Sequence, residues 1–180
     1  MHDLTHTPGY TGAARTLHWI TALLVLAMIP LGLVIAEGMG GSWQAFLYDL
    51  HKSLGVIVLL VAILRWLYRL GNKSPPLPAE LPKLQQMVAH VSHWALYVLI
   101  LVQPLVGWAA TASYPAPVPI FGLFDLPSIW PVDRALSERL FQLHGVLGFL
   151  MAVLATLHIA ATLHHHFVRR DRILMRMLKG

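Results

Sequence analysis

The chain has 180 residues, 57% of them hydrophobic and 12% charged, with a formal net charge of +5. Soluble domains carry about twice that charged fraction, so an ordinary soluble globule is excluded and a membrane protein of a few spans is expected. With no cysteine, disulfides, thiolate metal sites, iron–sulfur clusters and covalently attached c-type haem are excluded too.

The first sixteen residues are polar and mixed, and no cleavable signal peptide is expected. The apolar run that follows, from about Leu17 to Ala36, is longer than a signal core and reads as a retained span. Three more runs reach the roughly 20 residues that cross a hydrocarbon core: about Leu50 to Leu70, Val91 to Ala112 and Leu140 to Leu163. A Gly-rich stretch, Glu37–Trp43, joins the first two. Gly71–Pro82 carries four prolines and Tyr114–Pro131 carries five, so neither continues a helix. The pattern predicts an all-α, integral membrane four-helix bundle forming a single membrane domain.

Lysine and arginine set the expected orientation. Arg15, Arg65, Arg69, Lys73, Lys83, Arg169, Arg170, Arg172, Arg176 and Lys179 fall on one side, and Lys52, Arg134 and Arg139 on the other. Ten against three predicts both termini in the cytoplasm. The basic tail after His166 reads as a stop signal resting on anionic lipid, and the basic balance does not suggest nucleic acid.

Histidine is the chemical signal, with eleven copies. An ionisable residue inside a span is expensive and is a functional candidate by default. His144 and His158 are fourteen residues apart on the fourth span. That spacing leaves them about 40° apart on one helix face and about 21 Å apart along the axis. His51 opens the second span at the depth of His144, and His18 opens the first at the depth of His158. Two imidazole pairs, His18–His158 (inner) and His51–His144 (outer), can therefore each supply both axial ligands of a haem iron. A polar network between helices is the plainer alternative. A zinc site, which gathers about four ligands round one centre, does not suit a spread of about 21 Å.

Glycines fall where a macrocycle would need clearance. Gly55 and Gly148 lie four residues after His51 and His144, one turn on. Gly32 and Gly107 lie fourteen after His18 and His93, and would face the outer haem from helices that give it no ligand. Close helix packing explains single glycines of this kind equally well. Arg65, fourteen after His51, reaches the inner level, either to pair with a haem propionate or to snorkel to the interface. His93 is a candidate for a propionate or quinone contact, against an interfacial role. His90 has the same options, His165 continues the face of His158, and His164 and His166 are expected among lipid headgroups. His2 and His6 are expected to be tail residues without a role.

The stretches LHWITALLVL, LHKSLGVIVLLVAILRWLYRL, HVSHWALYVLILVQPLVG and LHGVLGFLMAVLATLHIAATLHHHF cover all four spans. Together they resemble the bacterial cytochrome b561 family. The resemblance implies a four-helix protein of the bacterial inner membrane with two haem b, its ligand pattern falling on His18, His51, His144 and His158. One subgroup of that family, the superoxide oxidases, takes electrons from superoxide at the outer haem and reduces ubiquinone near the inner one. The compact four-span form looks more like this subgroup than like the longer subunits of hydrogenases and other oxidoreductases.

The leading expectation is a dihaem electron carrier linking an outer donor, superoxide, to the ubiquinone pool. A cytochrome b subunit serving a soluble redox partner is the second reading, and a non-redox transporter with a histidine proton path is the third. Superoxide is an anion, yet the outer side counts Lys52, Arg134 and Arg139 against Glu37, Asp49, Asp125, Asp133 and Glu138. Steering of the substrate then depends on local placement, with Lys52, beside His51, as the candidate residue.

Overall fold

The computed structural model describes residues 9–78, 81–128 and 131–180, so His2 and His6 lie outside the described residues. Four helices are long and apolar enough to cross a membrane: α1 (Gly12–Ala36), α2 (Gln44–Gly71), α3 (Lys83–Ala112) and α4 (Arg134–His164). Each begins five to eight residues before the apolar run that announced it. Hydropathy marks the stretch that lipid can cover, whereas the helix continues through the polar interface for as long as its backbone groups are satisfied. Two of the starts are capped: the Thr11 hydroxyl accepts from Ala14 N–H at 3.3 Å, and the Asp133 carboxylate from Leu136 N–H at 3.0 Å.

Only 6% to 17% of the most apolar stretch of each span is buried within the protein. Lipid must cover the rest, including Leu23, Leu33, Phe149 and Leu157, all largely exposed. With no hydrophobic drive between helices in lipid, close approach and internal hydrogen bonds hold the bundle. The buried set is accordingly small: Thr21, Ser53, Ala110, Ala112, Ser113 and Ser137 are each no more than 2% exposed. Ser137 Oγ donates to the Ala110 carbonyl at 2.8 Å, tying α4 to α3.

The extensive backbone packings join α1 to α2, α2 to α3 and α3 to α4. Helix α4 reaches α1 and α2 through side chains instead, histidine rings among them. The bundle thus has a seam along α4, and both imidazole pairs lie in it.

Two features depart from the sequence reading. The proline-rich third connection holds a β-hairpin, β1 (Val118–Ile120) with β2 (Phe124–Leu126), antiparallel with Val118 opposite Leu126. Its turn puts Phe121 (φ 50°) and Gly122 (φ 69°) in the left-handed region, the geometry of a tight hairpin turn. The basic tail also does more than rest on lipid. After a π-helical turn, His165–Arg169, a short helix α5 (Ile173–Leu178) folds back across the bundle end. Arg176, 6% exposed, donates to the Pro76 carbonyl at 2.9 Å. Tyr10 N–H donates to the Arg176 carbonyl and Trp19 Nε1 to that of Met177. Both ends of the described chain therefore meet at one end of the bundle, opposite the hairpin.

Candidate functional site

At the hairpin end, His51 of α2 and His144 of α4 face each other with ring centroids 6.1 Å apart. Bonds of about 2 Å from one iron to two imidazole nitrogens, each about 1 Å from its ring centre, require about 6 Å between centroids. The spacing of these rings fits a bis-imidazole iron. Helix α3 orients the second ring: His144 Nδ1 donates to the Gln103 carbonyl at 3.1 Å, and Gln103 Nε2 returns a bond to the His144 carbonyl at 2.9 Å. Donation from Nδ1 leaves the lone pair on Nε2, the arrangement of metal-ligating histidines. His51 Nδ1 is buried with no hydrogen-bond partner, a cost that a further group at this site would relieve.

Glycines make room for these rings. A Cβ at position 107 would lie 2.8 Å from His144 Cε1, and one at position 32 would lie 3.3 Å from His51 Cε1. Gly32 and Gly107, expected to face a haem, thus abut the rings of His51 and His144. Gly148 abuts Gln103 instead, 3.1 Å from its side-chain nitrogen, and Gly55 meets only Met28 at 3.9 Å. Neither touches a histidine ring.

At the opposite end, His18 of α1 and His158 of α4 have centroids 6.4 Å apart, again near the bis-imidazole spacing. His93 of α3 lies closer, 5.3 Å from His158, which is short for two rings sharing an iron. Arg65 donates to His18 Nδ1 at 3.1 Å and to Tyr97 Oη at 3.2 Å, with its guanidinium 4.8 Å from the Tyr97 ring centre. An imidazole bound to iron through Nε2 carries its proton on Nδ1. Coordination by His18 therefore requires Arg65 to turn from Nδ1 to an acceptor, and a haem propionate is one. Among the described residues no three His, Cys, Asp or Glu side chains gather as a metal site. Pairwise ligation is what these histidines offer.

Several neighbours were not legible beforehand. Tyr97, which fixes Arg65, is one. Ser53 is another: its hydroxyl accepts from Phe121 N–H at 2.9 Å and pins the hairpin turn two residues from His51. The Lys52 ammonium pairs with Asp49 at 2.7 Å, so its field at the hairpin end is partly cancelled. His90 and His93 line a cavity of about 40 Å³ with Trp66, Trp94 and Tyr97. His165 pairs with Asp171 beyond the helix end, His164 stacks edge-on to His165, and His166 to Phe167.

Residues 9–180 match the family model described as prokaryotic cytochrome b561. The chain is 31% identical to cytochrome b561 homolog 2 of Escherichia coli K12 over 179 residues, covering 98% of this chain and 95% of that protein. It is 30% identical to the probable superoxide oxidase CybB of Yersinia pestis over 166 residues, covering 90% and 91%. It is 26% identical to cytochrome b562 of Cereibacter sphaeroides over 182 residues, covering 98% and 99%. Four apolar helices, facing imidazole pairs and a match over nearly the whole length together identify the chain as a member of the prokaryotic cytochrome b561 family, multi-pass membrane cytochromes that carry b-type haem and transfer electrons.

Proposed function

We propose that this chain is a single membrane domain of the bacterial inner membrane that holds two haem b, one between His51 and His144 and one between His18 and His158. The observation that carries the reading is that one helix, α4, supplies a ring to each of two facing pairs, at 6.1 and 6.4 Å. Bound haem would supply reversible one-electron transfer at two depths. The chain's part is to hold each iron, to orient His144 through Gln103, and to offer Arg65 and Tyr97 near the second site. The basic asymmetry of the sequence supports both termini in the cytoplasm, with the hairpin outside.

The donor we infer is superoxide, on the outer side, and the acceptor is ubiquinone. Two superoxide anions give up one electron each and leave as dioxygen, while ubiquinone takes two electrons and two protons to become ubiquinol. The likeness to a protein named a probable superoxide oxidase supports the donor. The imidazoles of His90 and His93, which line a small cavity with Trp66, Trp94 and Tyr97, are groups able to pass protons to a quinone reduced beside them. Haem-to-protein stoichiometry on the purified protein, followed by superoxide-driven ubiquinone reduction without any partner, tests the reading. Two haems and activity in isolation are expected; one haem, or no reduction from superoxide, overturns the corresponding half.

The second reading, a cytochrome b subunit serving a soluble redox partner, draws on the hairpin. Phe121, Leu123 and Phe124 stand exposed there, and an exposed apolar tip is a feature of docking surfaces. Membership of a cytochrome family sets aside the transporter reading.

A further inference from the structure

At the end where the termini meet, a cavity of about 90 Å³ opens between the start of α1, the end of α2 and α5. Arg65, Arg69 and Lys73 line it, together with Thr11, Tyr68 and Asn72, and no carboxylate is among its lining residues. None of the three cations is paired with a carboxylate among the described residues, where the ion pairs are those of Lys52, His165 and Arg169. The Thr11 and Tyr68 hydroxyls hold each other at 2.7 Å, fixing one wall. The N-terminus of α1 adds partial positive charge and the C-terminus of α2 partial negative charge. These roughly offset, so the three full charges decide the sign of the site.

We propose that this cavity binds the phosphate of an acidic phospholipid. At roughly 10–15 Å³ per water-sized group, its volume admits about six such groups, enough for a phosphodiester but not for a larger headgroup in full. The other walls are apolar, Ala14, Leu17 and Met177 among them. The lipid-facing surfaces of α1 and α2 next to it, with Leu23, Leu64 and Leu67 exposed, can receive acyl chains. Basic pockets between helix ends are where anionic headgroups settle. A haem propionate is the other oxyanion to consider, and Arg65, bonded to His18 at 3.1 Å, is the cation placed nearest that histidine. Arg69 lies about 6 Å further along the helix and Lys73 beyond its end, so those two cations need another anion. This inference stands on the cavity and its charges, and holds whether the protein carries one haem or two.

The test is made on the haem-loaded protein purified from membranes in mild detergent, with co-purified phospholipid extracted and quantified. Wild type should retain about one acidic phospholipid per chain. Arg69→Gln combined with Lys73→Gln should weaken retention about thirty-fold while leaving haem content unchanged. Arg69→Lys combined with Lys73→Arg, which keeps both charges, should restore it. Should the charge-removing variant fail to accumulate, the melting temperature of wild type decides: it should rise with added cardiolipin and not with phosphatidylcholine or inorganic phosphate. Unchanged lipid retention in the variant overturns the proposal, as does equal stabilisation by phosphate alone. Loss of haem in place of lipid overturns it as well, assigning the two cations to propionates.

Discussion

Gly107 of α3 lies so close to His144 of α4 that a methyl group at position 107 would come within 2.8 Å of the imidazole. The same ring donates to the Gln103 carbonyl one turn earlier on α3. Gly107→Ala must therefore push the ring off its hydrogen bond, an overpacking cost of about 1–3 kcal/mol. Haem bound at the hairpin end should be lost or weakened by about ten-fold or more. Gly32→Ala, whose Cβ would lie 3.3 Å from His51, should act in the same direction but less. Haem titration of the two purified variants checks both, and a Gly107→Ala protein with undiminished affinity would remove Gly107 from the site.

The pairing of ligands is tested by matching spectra. His51→Ala and His144→Ala should deplete one haem and give the same residual spectrum, and His18→Ala and His158→Ala should deplete the other. His93→Ala should keep both haems, because a spacing of 5.3 Å from His158 is short for two ligands of one iron. If His93→Ala loses a haem that His18→Ala retains, His93 replaces His18 as the ligand.

The Lys52–Asp49 ion pair at the hairpin end carries a prediction about the proposed donor. Asp49 neutralises Lys52 at 2.7 Å, and superoxide is an anion. Asp49→Asn should therefore speed haem reduction by superoxide, by about two- to five-fold at low ionic strength, while Lys52→Glu slows it. Both effects should fade as salt rises, since screening shortens the reach of these charges. Stopped-flow reduction across a salt series reads this out. Equal rates for Asp49→Asn and wild type at low salt would remove the pair from substrate capture.

Orientation can be read with reporter fusions. Fusions after Lys73 and after Lys179 should report the cytoplasm, and one after Ser128 the outer side. An outer signal from the Lys179 fusion would reverse the assignment of donor and acceptor ends.

The four spans and the depths of the histidines could be read from the sequence because each rests on a strong local regularity. Long uncharged runs have no other home than lipid, and a fourteen-residue spacing returns a side chain to nearly the same helix face. Gly32 and Gly107, expected from the same spacing to face a haem, lie against the rings of His51 and His144. A Cβ at Gly55 would meet only Met28, because what a position faces depends on how α2 is rotated in the bundle. Tyr97 and Ser53 stayed invisible because each acts through a partner distant in sequence, Arg65 and the Phe121 amide. Spacing carries no information about such contacts. The hairpin was hidden by its prolines and by strands of three residues, too short to show alternation. The tail read as a lipid-bound stop signal because charge alone cannot reveal that Arg176 finds a carbonyl a hundred positions away.

One feature of α4 bears on how the molecule comes into being. His144 and His158 both belong to α4, which is synthesised after the other three spans described, while their counterparts His51 and His18 precede them by more than ninety residues. A nascent chain with three helices already in the bilayer has no complete pair at either end. Insertion of the fourth completes both pairs within a single translocation event. On the proposed ligand set, a chain halted before residue 144 would offer neither His51 nor His18 a facing imidazole from α4.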